Sequence, residues 1–493
     1  MGQSDGRGRW MALTAALLGW MFDGLEMGLF PLVARPALRD LLGADVTEGQ
    51  VGRWFAVATA GFLVGAATGG VLFGWLGDRL GRVRAMTLSV LTYAIFSGLC
   101  GVATSASQVV ALRFVAALGM GGEWSLGVAL VMEVWPDGSR AFLAGLIGAA
   151  ANFGYMLIAV IGLALTRNPE GLHSFLSSSG LPETWVDSLT AHAAWRLLML
   201  LGATPALLTF FIRLFVPESE RWQREKSQGS TRHWATGDLA GVCVGAVAAV
   251  FILWLWAEDR SAAIRIPGTL AALCVVTGGY LYPVARFFKR SAGSVGDSQV
   301  ALGRMLLGAS LSGVALLGTW AAVQMAPAWA DQLARGSNWG AKEYTQFSSA
   351  MGAVFGSFAG ALLGDLVGRR FAYLFLCIGS LATSALFFLT NTAVDLRFLV
   401  TMFMTGAFTA AFYGWLPLYL PELFRTSVRA TGQGFSFNFG RVIAAIGVLQ
   451  AGALIEQFQG SYPRACSLMC LIYLVGIAII FLAPETRGQP LPD

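Results

Sequence analysis

The chain has 493 residues, a formal net charge of +5 and only 12% Asp, Glu, Lys and Arg, where a soluble globular protein carries roughly 25%. Residues of the set AVILMFWYC make up 56%, with 61 glycines besides, so roughly two thirds of the chain is apolar or Gly against about 45–50% ordinarily. Charges this sparse cannot cover a soluble surface of that size, which excludes a secreted enzyme, a disordered regulator and a nucleic-acid binder and leaves an all-α, multi-pass membrane protein.

A membrane-spanning helix needs about 18 to 25 apolar residues. Runs of that kind fall at 11–33, 53–74, 84–103, 108–134, 142–165, 194–216, 239–257, 268–288, 302–326, 346–363, 371–390, 396–420, 431–455 and 463–483. These are fourteen predicted transmembrane helices, so both termini lie on one side. The segments on that side carry 19 of the 33 Lys and Arg, the opposite segments 11, and three sit within spans; the excess places both termini in the cytoplasm. The first run, Trp10 to Val33, is long enough to span and lacks a small-residue cleavage site, so it reads as a helix rather than a signal peptide. The six cysteines all lie in apolar runs without metal-like spacing, and neither a metal nor a cofactor is expected.

The chain repeats itself. Gly77-Asp78-Arg79-Leu80-Gly81-Arg82 recurs as Gly364-Asp365-Leu366-Val367-Gly368-Arg369 at an offset of 287, Leu112-Arg113-Phe114 as Leu396-Arg397-Phe398 at 284, and Glu133 with Arg140 as Glu422 with Arg429 at 289. Pro217-Glu218-Ser219 recurs as Pro484-Glu485-Thr486 at 267, the shortfall matching a long outer loop over 166–193. Three unrelated signatures at nearly one offset indicate a duplication. The predicted organisation is a six-helix bundle over 1–220, a linker with two inserted helices over 221–300, and a second six-helix bundle over 301–493.

Two six-helix halves with matching loop motifs resemble the major facilitator superfamily, most specifically through Gly74-Trp75-Leu76-Gly77-Asp78-Arg79-Leu80-Gly81-Arg82. Within it, Gly19-Trp20-Met21-Phe22-Asp23-Gly24, Gly119-Met120-Gly121-Gly122-Glu123-Trp124 and Glu133-Val134-Trp135-Pro136 are similar to the sialate:proton symporter family, which also holds lactate and pyruvate carriers. The inserted helix pair is similar to its sialic-acid branch. Pro217-Glu218-Ser219-Glu220-Arg221-Trp222 and Pro484-Glu485-Thr486-Arg487-Gly488 resemble sugar-porter end motifs instead. The Asn, His and Gln-Asp motif of yeast lactate permeases is absent near Trp320. The resemblance implies the major facilitator fold, its bundles related by a pseudo-two-fold axis, and a bacterial cytoplasmic membrane.

Ionisable groups at membrane depth cost about 2.5–3.5 kcal/mol each on insertion scales and need a reason. Asp23, about 20 Å into the first span, and Arg113, about 22 Å from the inner boundary, can share a level; Glu26 is three residues from Asp23 on nearly the same face. One reading is a carboxylate at Asp23 alternating between a proton and Arg113, a pairing that resemblance to proton-linked sugar porters also implies; the other is a static ion pair that fixes packing. Glu123 is a second proton site or the partner of an inner-side arginine. No histidine falls in a predicted span, His173, His192 and His233 all being in loops, so proton handling falls to carboxylates. Arg441, near the midplane, suits an anionic substrate or pairs with a carboxylate from another helix, and Asn438 stands one turn before it. Gln324, Trp320, Asn152 and Tyr155 are further pocket candidates, with core packing as the alternative for the aromatics.

At cytoplasmic helix ends, Asp78 with Arg82, Glu133 with Arg140, Asp365 with Arg369 and Glu422 with Arg429 are expected to latch the two halves when the site faces outward; positive-loop anchoring explains the arginines but not the recurring acids. The inserted helices, around a turn holding Glu258, Asp259, Arg260 and Arg265, read as lipid-facing packing or a dimer contact, and the 166–193 loop as a polar outer cap. The leading function is a secondary carrier, not an enzyme, moving a small organic acid such as sialate or lactate with a proton. The alternative is a proton-coupled sugar or polyol carrier, and the remote one a sensor or membrane-embedded enzyme. The expected partners are a small anionic molecule, protons and lipid, with the carrier a monomer and no nucleic acid bound.

Overall fold

The computed structural model describes residues 6–43, 45–135, 137–258, 260–291, 295–334 and 340–492. Its elements are all helices, with no strand among the described residues. The first half holds α1 (Gly6–Leu42), α2 (Glu48–Leu80), α3 (Arg82–Leu99), α4 (Ala106–Val134), α5 (Arg140–Arg167), α6 (Pro169–Ser178), α7 (Glu183–Leu201) and α8 (Ala206–Phe215). A short α9 (Glu220–Ser227) leads to the inserted pair, α10 (Leu239–Ala257) and α11 (Ala262–Arg290). The second half holds α12 (Val295–Leu317), α13 (Ala326–Leu333), α14 (Ala341–Val367), α15 (Arg369–Thr390), α16 (Leu396–Ala410), α17 (Phe412–Tyr419), α18 (Arg429–Asn438), α19 (Gly440–Gln457), α20 (Tyr462–Cys470) and α21 (Ile472–Ile479).

Thirteen helices among the described residues are long and apolar enough to cross a membrane. The segment expected at 431–455 is present as two successive helices, α18 and α19, with Phe439 between them in helical backbone geometry. It is the most polar, carrying Arg429, Thr431, Gln433, Ser436, Asn438 and Arg441, all buried. The expected span at 302–326 leaves α-helical geometry at Gly318–Ala322, a π turn followed by a 3-10 turn over Val323–Met325. Such irregularity is tolerated at membrane depth where it lines a cavity rather than lipid, and Thr319, Trp320, Val323 and Gln324 line the central cavity.

The outer loop is not simply polar coil. Residues 169–178 form α6, started by Pro169 at its first position and by Asn168, whose Oδ1 accepts the Gly171 N–H at 3.1 Å. The chain then turns into α7, which kinks over Ala191–Ala194.

Small residues bring the helices together. A Cβ added at Gly24 would stand 1.7 Å from the Ala151 carbonyl oxygen, and one at Gly154 1.7 Å from that of Met21, so α1 and α5 meet backbone to backbone. The halves meet along two seams, α2 against α18 and α19, and α5 against α14 and α17. The inserted pair packs on the first seam, α10 against α2 and α19 and α11 against α12 and α18. A buried 2.6 Å hydrogen bond joins Tyr280 of α11 to Thr68 of α2. Its outer face is apolar and exposed, Val247 and Leu270 being more than half exposed. Asp259, in its turn, lies outside the described residues.

Candidate functional site: a central cavity and a buried charge cluster

A cavity of about 130 Å³ lies between the halves, roughly ten times the 10–15 Å³ that one water requires. Of the expected pocket residues, Asn152, Tyr155, Trp320, Gln324 and Arg441 line it, as do Asp23 from the expected proton-coupling set and Gln346 and Tyr413, which sequence reasoning missed. Tyr155 donates to Gln324 Oε1 at 3.0 Å, bridging the halves, and Asn152 donates to the Gly148 carbonyl at 3.0 Å. Arg441 is buried, with its Nε and Nη1 unpartnered and its guanidinium 5.6 Å from the Phe437 ring. A buried cation with free donors aimed into a cavity is a ready partner for a carboxylate.

Asn438 does not join Arg441 there. Its amide donates to the Gly121 carbonyl of α4 and the Gly434 carbonyl of its own helix, both at 3.0 Å, on the seam with α2 and α4. The expectation that both residues face one ligand is not met, because these two carbonyls take up the Asn438 amide while Arg441, three residues on, lines the cavity. Asn438 is a strut between the halves.

The expected Asp23–Arg113 pair is also not formed. Arg113 Nη1 instead donates to Glu26 Oε1 at 2.9 Å, both side chains buried, with the guanidinium over Phe30 at 3.9 Å and Phe62 at 4.9 Å. Positions 23 and 26 lie only about 60° apart around a helix, and the rotation of α1 gives α4's arginine to Glu26. Asp23 faces the cavity, with the Glu123 carboxyl within hydrogen-bonding reach. Glu123 packs against Gly19, where a Cβ would stand 1.7 Å from its Oε1. Asp23 Oδ1 and Glu123 Oε2 have no hydrogen-bond partner. Beneath them Trp20 stacks on Trp124 at 5.8 Å, and Trp124 of α4 stacks on Phe437 of α18 at 3.8 Å and 2°.

At the helix ends on the side of the termini, the recurring motifs build two equivalent clusters. Arg82 donates to the Gly77 carbonyl at 2.8 Å, to Asp78 at 2.8 Å and to Glu133 at 3.1 Å. Arg369 donates likewise to the Gly364 carbonyl at 2.8 Å and to both oxygens of Glu422 at 3.0 and 2.7 Å. Ser219 donates to Glu133, and Thr486 to Glu422 at 2.6 Å. Glu218 accepts the Arg82 N–H at 2.9 Å, opening α3, and Glu485 accepts the Arg369 and Arg370 N–H groups at 3.0 and 3.1 Å, opening α15. These carboxylates explain the second glycine of each motif. Gly81 takes φ 110° and Gly368 φ 95°, and a Cβ at 81 would stand 2.2 Å from Glu218 Oε2. Burial pushes the Glu218 carboxyl above the ordinary range, its N–H bonds and Arg82 only partly offsetting this. For Glu485 burial is the largest effect, yet N–H bonds from Arg369, Arg370 and Arg487 together with the Arg369 charge outweigh it and hold the carboxyl below that range.

Contacts across the halves run through the first cluster. Arg429 Nη1 donates to Glu133 Oε1 at 2.8 Å, and Arg82 Nη2 to the Thr426 carbonyl at 2.8 Å. Asp78 caps α18, accepting the Ala430 N–H at 3.1 Å, the Thr431 N–H at 2.9 Å and the Thr431 hydroxyl at 2.6 Å. The two halves differ here, since Asp78 is fully buried whereas Asp365, 3.6 Å from Arg369, is 59% exposed. Arg140 reaches the Gln489 carbonyl at 3.3 Å, and Arg429 that of Pro492. All eight residues expected at the gate thus lie at this end, with Glu133 held by Arg82 and Arg429 and Glu422 by Arg369.

The model for the family described as sugar (and other) transporter matches residues 12–236 and 338–493, leaving out the inserted pair together with α12 and α13. The chain is 28% identical over 479 residues, 96% of its length and 90% of the relative's, to a Cupriavidus pinatubonensis protein named "Probable 4-methylmuconolactone transporter". It is 26% identical over 490 residues, 98% of each, to a Haemophilus influenzae protein whose name assigns it to metabolite transport, and 22% identical over 477 residues, 96% of this chain and 92% of the other, to the sialic acid transporter NanX of Escherichia coli. Among solved structures, the proton:xylose symporter XylE superposes with a TM-score of 0.70 at 16% identity, over 98% of both chains. The chain has the fold of that symporter and belongs to the sugar (and other) transporter family.

Proposed function

We propose that this carrier moves a small organic anion together with a proton by alternating access, in a bacterial cytoplasmic membrane with both termini inside. The observation that carries the reading is Arg441, a buried guanidinium with two unpartnered N–H groups facing the central cavity. An anionic solute would neutralise it there. Asp23, from the other half, faces the same cavity with Glu123 behind it, and two carboxyl groups at such a distance hold a proton between them more readily than two negative charges. The proton site is then the Asp23–Glu123 pair, while Glu26 and Arg113 form a second charged site toward the outer side. Filling of the cavity by solute and proton cancels its charges and lets the halves rock. The closed gate, built on Glu133, Arg82, Arg429 and Asp78, then parts and the Trp124–Phe437 stack separates. Relatives named for 4-methylmuconolactone and sialic acid transport support an organic acid as cargo.

A second reading, a neutral sugar or polyol, is favoured by the amides of Asn152, Gln324 and Gln346 among the lining groups, which suit hydroxyls. Reconstituted vesicles decide between them. Labelled sialate, lactate, pyruvate, muconate and a hexose are offered with and without an inward proton gradient. Gradient-driven uptake of one acid supports the first reading. Uptake of the hexose alone moves the protein to the second, and uptake indifferent to the gradient removes the proton coupling.

A further inference from the structure

Away from the central cavity, a groove of about 590 Å³ opens sideways between α12 and the end of α21, at the level of the gate. Its walls are apolar and turned to the membrane, with Leu306 42% and Leu482 75% exposed. At Gly303 a Cβ would meet nothing within 4 Å, so the floor is open space. Two arginines stand in it, Arg304 from α12 and Arg370 from α15. Arg304 Nη1 donates to the Leu423 carbonyl at 3.0 Å, and Arg370 Nε to that of Ala483. These bonds fix the side chains without neutralising them. No acidic residue lines the groove, and among the described residues neither guanidinium forms an ion pair. Two guanidinium groups without an ion-pair partner beside an apolar trough at the membrane rim are complementary to an anion that carries an apolar tail.

We propose that this groove binds an anionic phospholipid from the leaflet on the side of the termini, its phosphate against Arg304 and Arg370 and an acyl chain along Leu306 and Leu482. Complementarity selects this occupant. A soluble phosphate ester would use the arginines but leave the apolar trough empty, and a zwitterionic lipid would bring a cation to a site that already holds two. Basic pockets between transmembrane helices at the cytoplasmic face are suited to such head groups. Leu423 follows Glu422, and Ala483 lies two residues before Glu485, so the groove holds the backbone of both gate loops of the second half. The proposal draws on the transport reading only for the leaflet.

The test reads lipid binding without transport, so its failure is separable from failure of the carrier reading. Purified protein is loaded with phosphatidylglycerol or phosphatidylcholine, and retained lipid is counted by native mass spectrometry alongside the thermal unfolding midpoint. Phosphatidylglycerol is expected to be retained and to raise Tm. Both effects are expected to be lost in Gly303→Trp, whose indole fills the groove, and in Arg304→Gln/Arg370→Gln, while Tm in phosphatidylcholine stays unchanged in Gly303→Trp. An equal shift with phosphatidylcholine, a phosphatidylglycerol response that survives Gly303→Trp, or the same shift from glycerophosphate alone overturns the proposal.

Discussion

Replacing Glu133 by Gln tests the gate with little change of shape. In the closed form Glu133 Oε1 accepts from Arg82 at 3.1 Å and from Arg429 at 2.8 Å, and its other oxygen accepts from Ser219, with all three charged side chains fully buried. Removing one partner of a buried ion pair costs about 3–5 kcal/mol. The Gln carbonyl still accepts one bond from an arginine, and a hydrogen bond to a charged group recovers about 1.5–3 kcal/mol, leaving a net loss of about 2 kcal/mol. At about 1.4 kcal/mol per tenfold, the inward-open population rises roughly 30-fold. The Ala430 and Thr431 N–H groups report it, because their acceptor, Asp78, lies on the other half. Hydrogen exchange at these two amides is expected to speed up roughly 30-fold, by the same conversion, with exchange in the α14–α16 core unchanged. Exchange at 430 and 431 that stays within about threefold of wild type, a difference under about 0.7 kcal/mol, would refute the latch.

Arg441→Gln is expected to weaken binding of the transported acid by about 10- to 150-fold, as loss of a charge-assisted hydrogen bond of about 1.5–3 kcal/mol implies, with hexose binding unaffected; calorimetry with each solute checks it. Asn438→Ala should leave acid affinity unchanged and lower stability by about 1–2 kcal/mol through two lost bonds to carbonyls, read as a lower Tm. Glu485 is held below its ordinary range, so its contribution to stability is fully present above the unfolded value and falls away as pH drops through the depressed folded value. Thermal unfolding scanned through the acid range should therefore show a wild-type loss that Glu485→Gln, already destabilised at neutral pH, does not share.

Much of this was legible in one sequence because a bilayer punishes exceptions. Apolar runs of spanning length made the all-helical membrane fold readable, thirteen of the fourteen expected spans being long and apolar enough in the structure, and the recurrence of Gly-Asp-x-x-Gly-Arg marked the residues that gather at one end. Arg441 stood out because an unexplained charge at the midplane is expensive. What pattern does not encode is helix rotation. Asp23 and Glu26 sit three residues apart, and only the packing of α1 on α4 and α5, through Gly19, Gly24 and Gly154, assigns Arg113 to one and Glu123 to the other. Asn438 and Arg441 are likewise three apart, and only the packing of α18 on α4 gives the Asn438 amide to the Gly121 carbonyl while Arg441 lines the cavity. The roles of Glu218 and Glu485 were half visible, since the Pro-Glu-Ser and Pro-Glu-Thr segments recur; that each opens the helix following a motif glycine required the fold.

If an organic anion and a proton share the cavity between Arg441 and the Asp23–Glu123 pair, entry of the solute draws protons with it. Vesicles without an imposed gradient receive the unlabelled acid, and an external pH dye follows the medium. Alkalinisation on addition of the acid, abolished in Asp23→Asn/Glu123→Gln while solute exchange at equilibrium continues, is the expected result. Solute entry with no pH change, or alkalinisation undiminished in the double variant, would contradict the account.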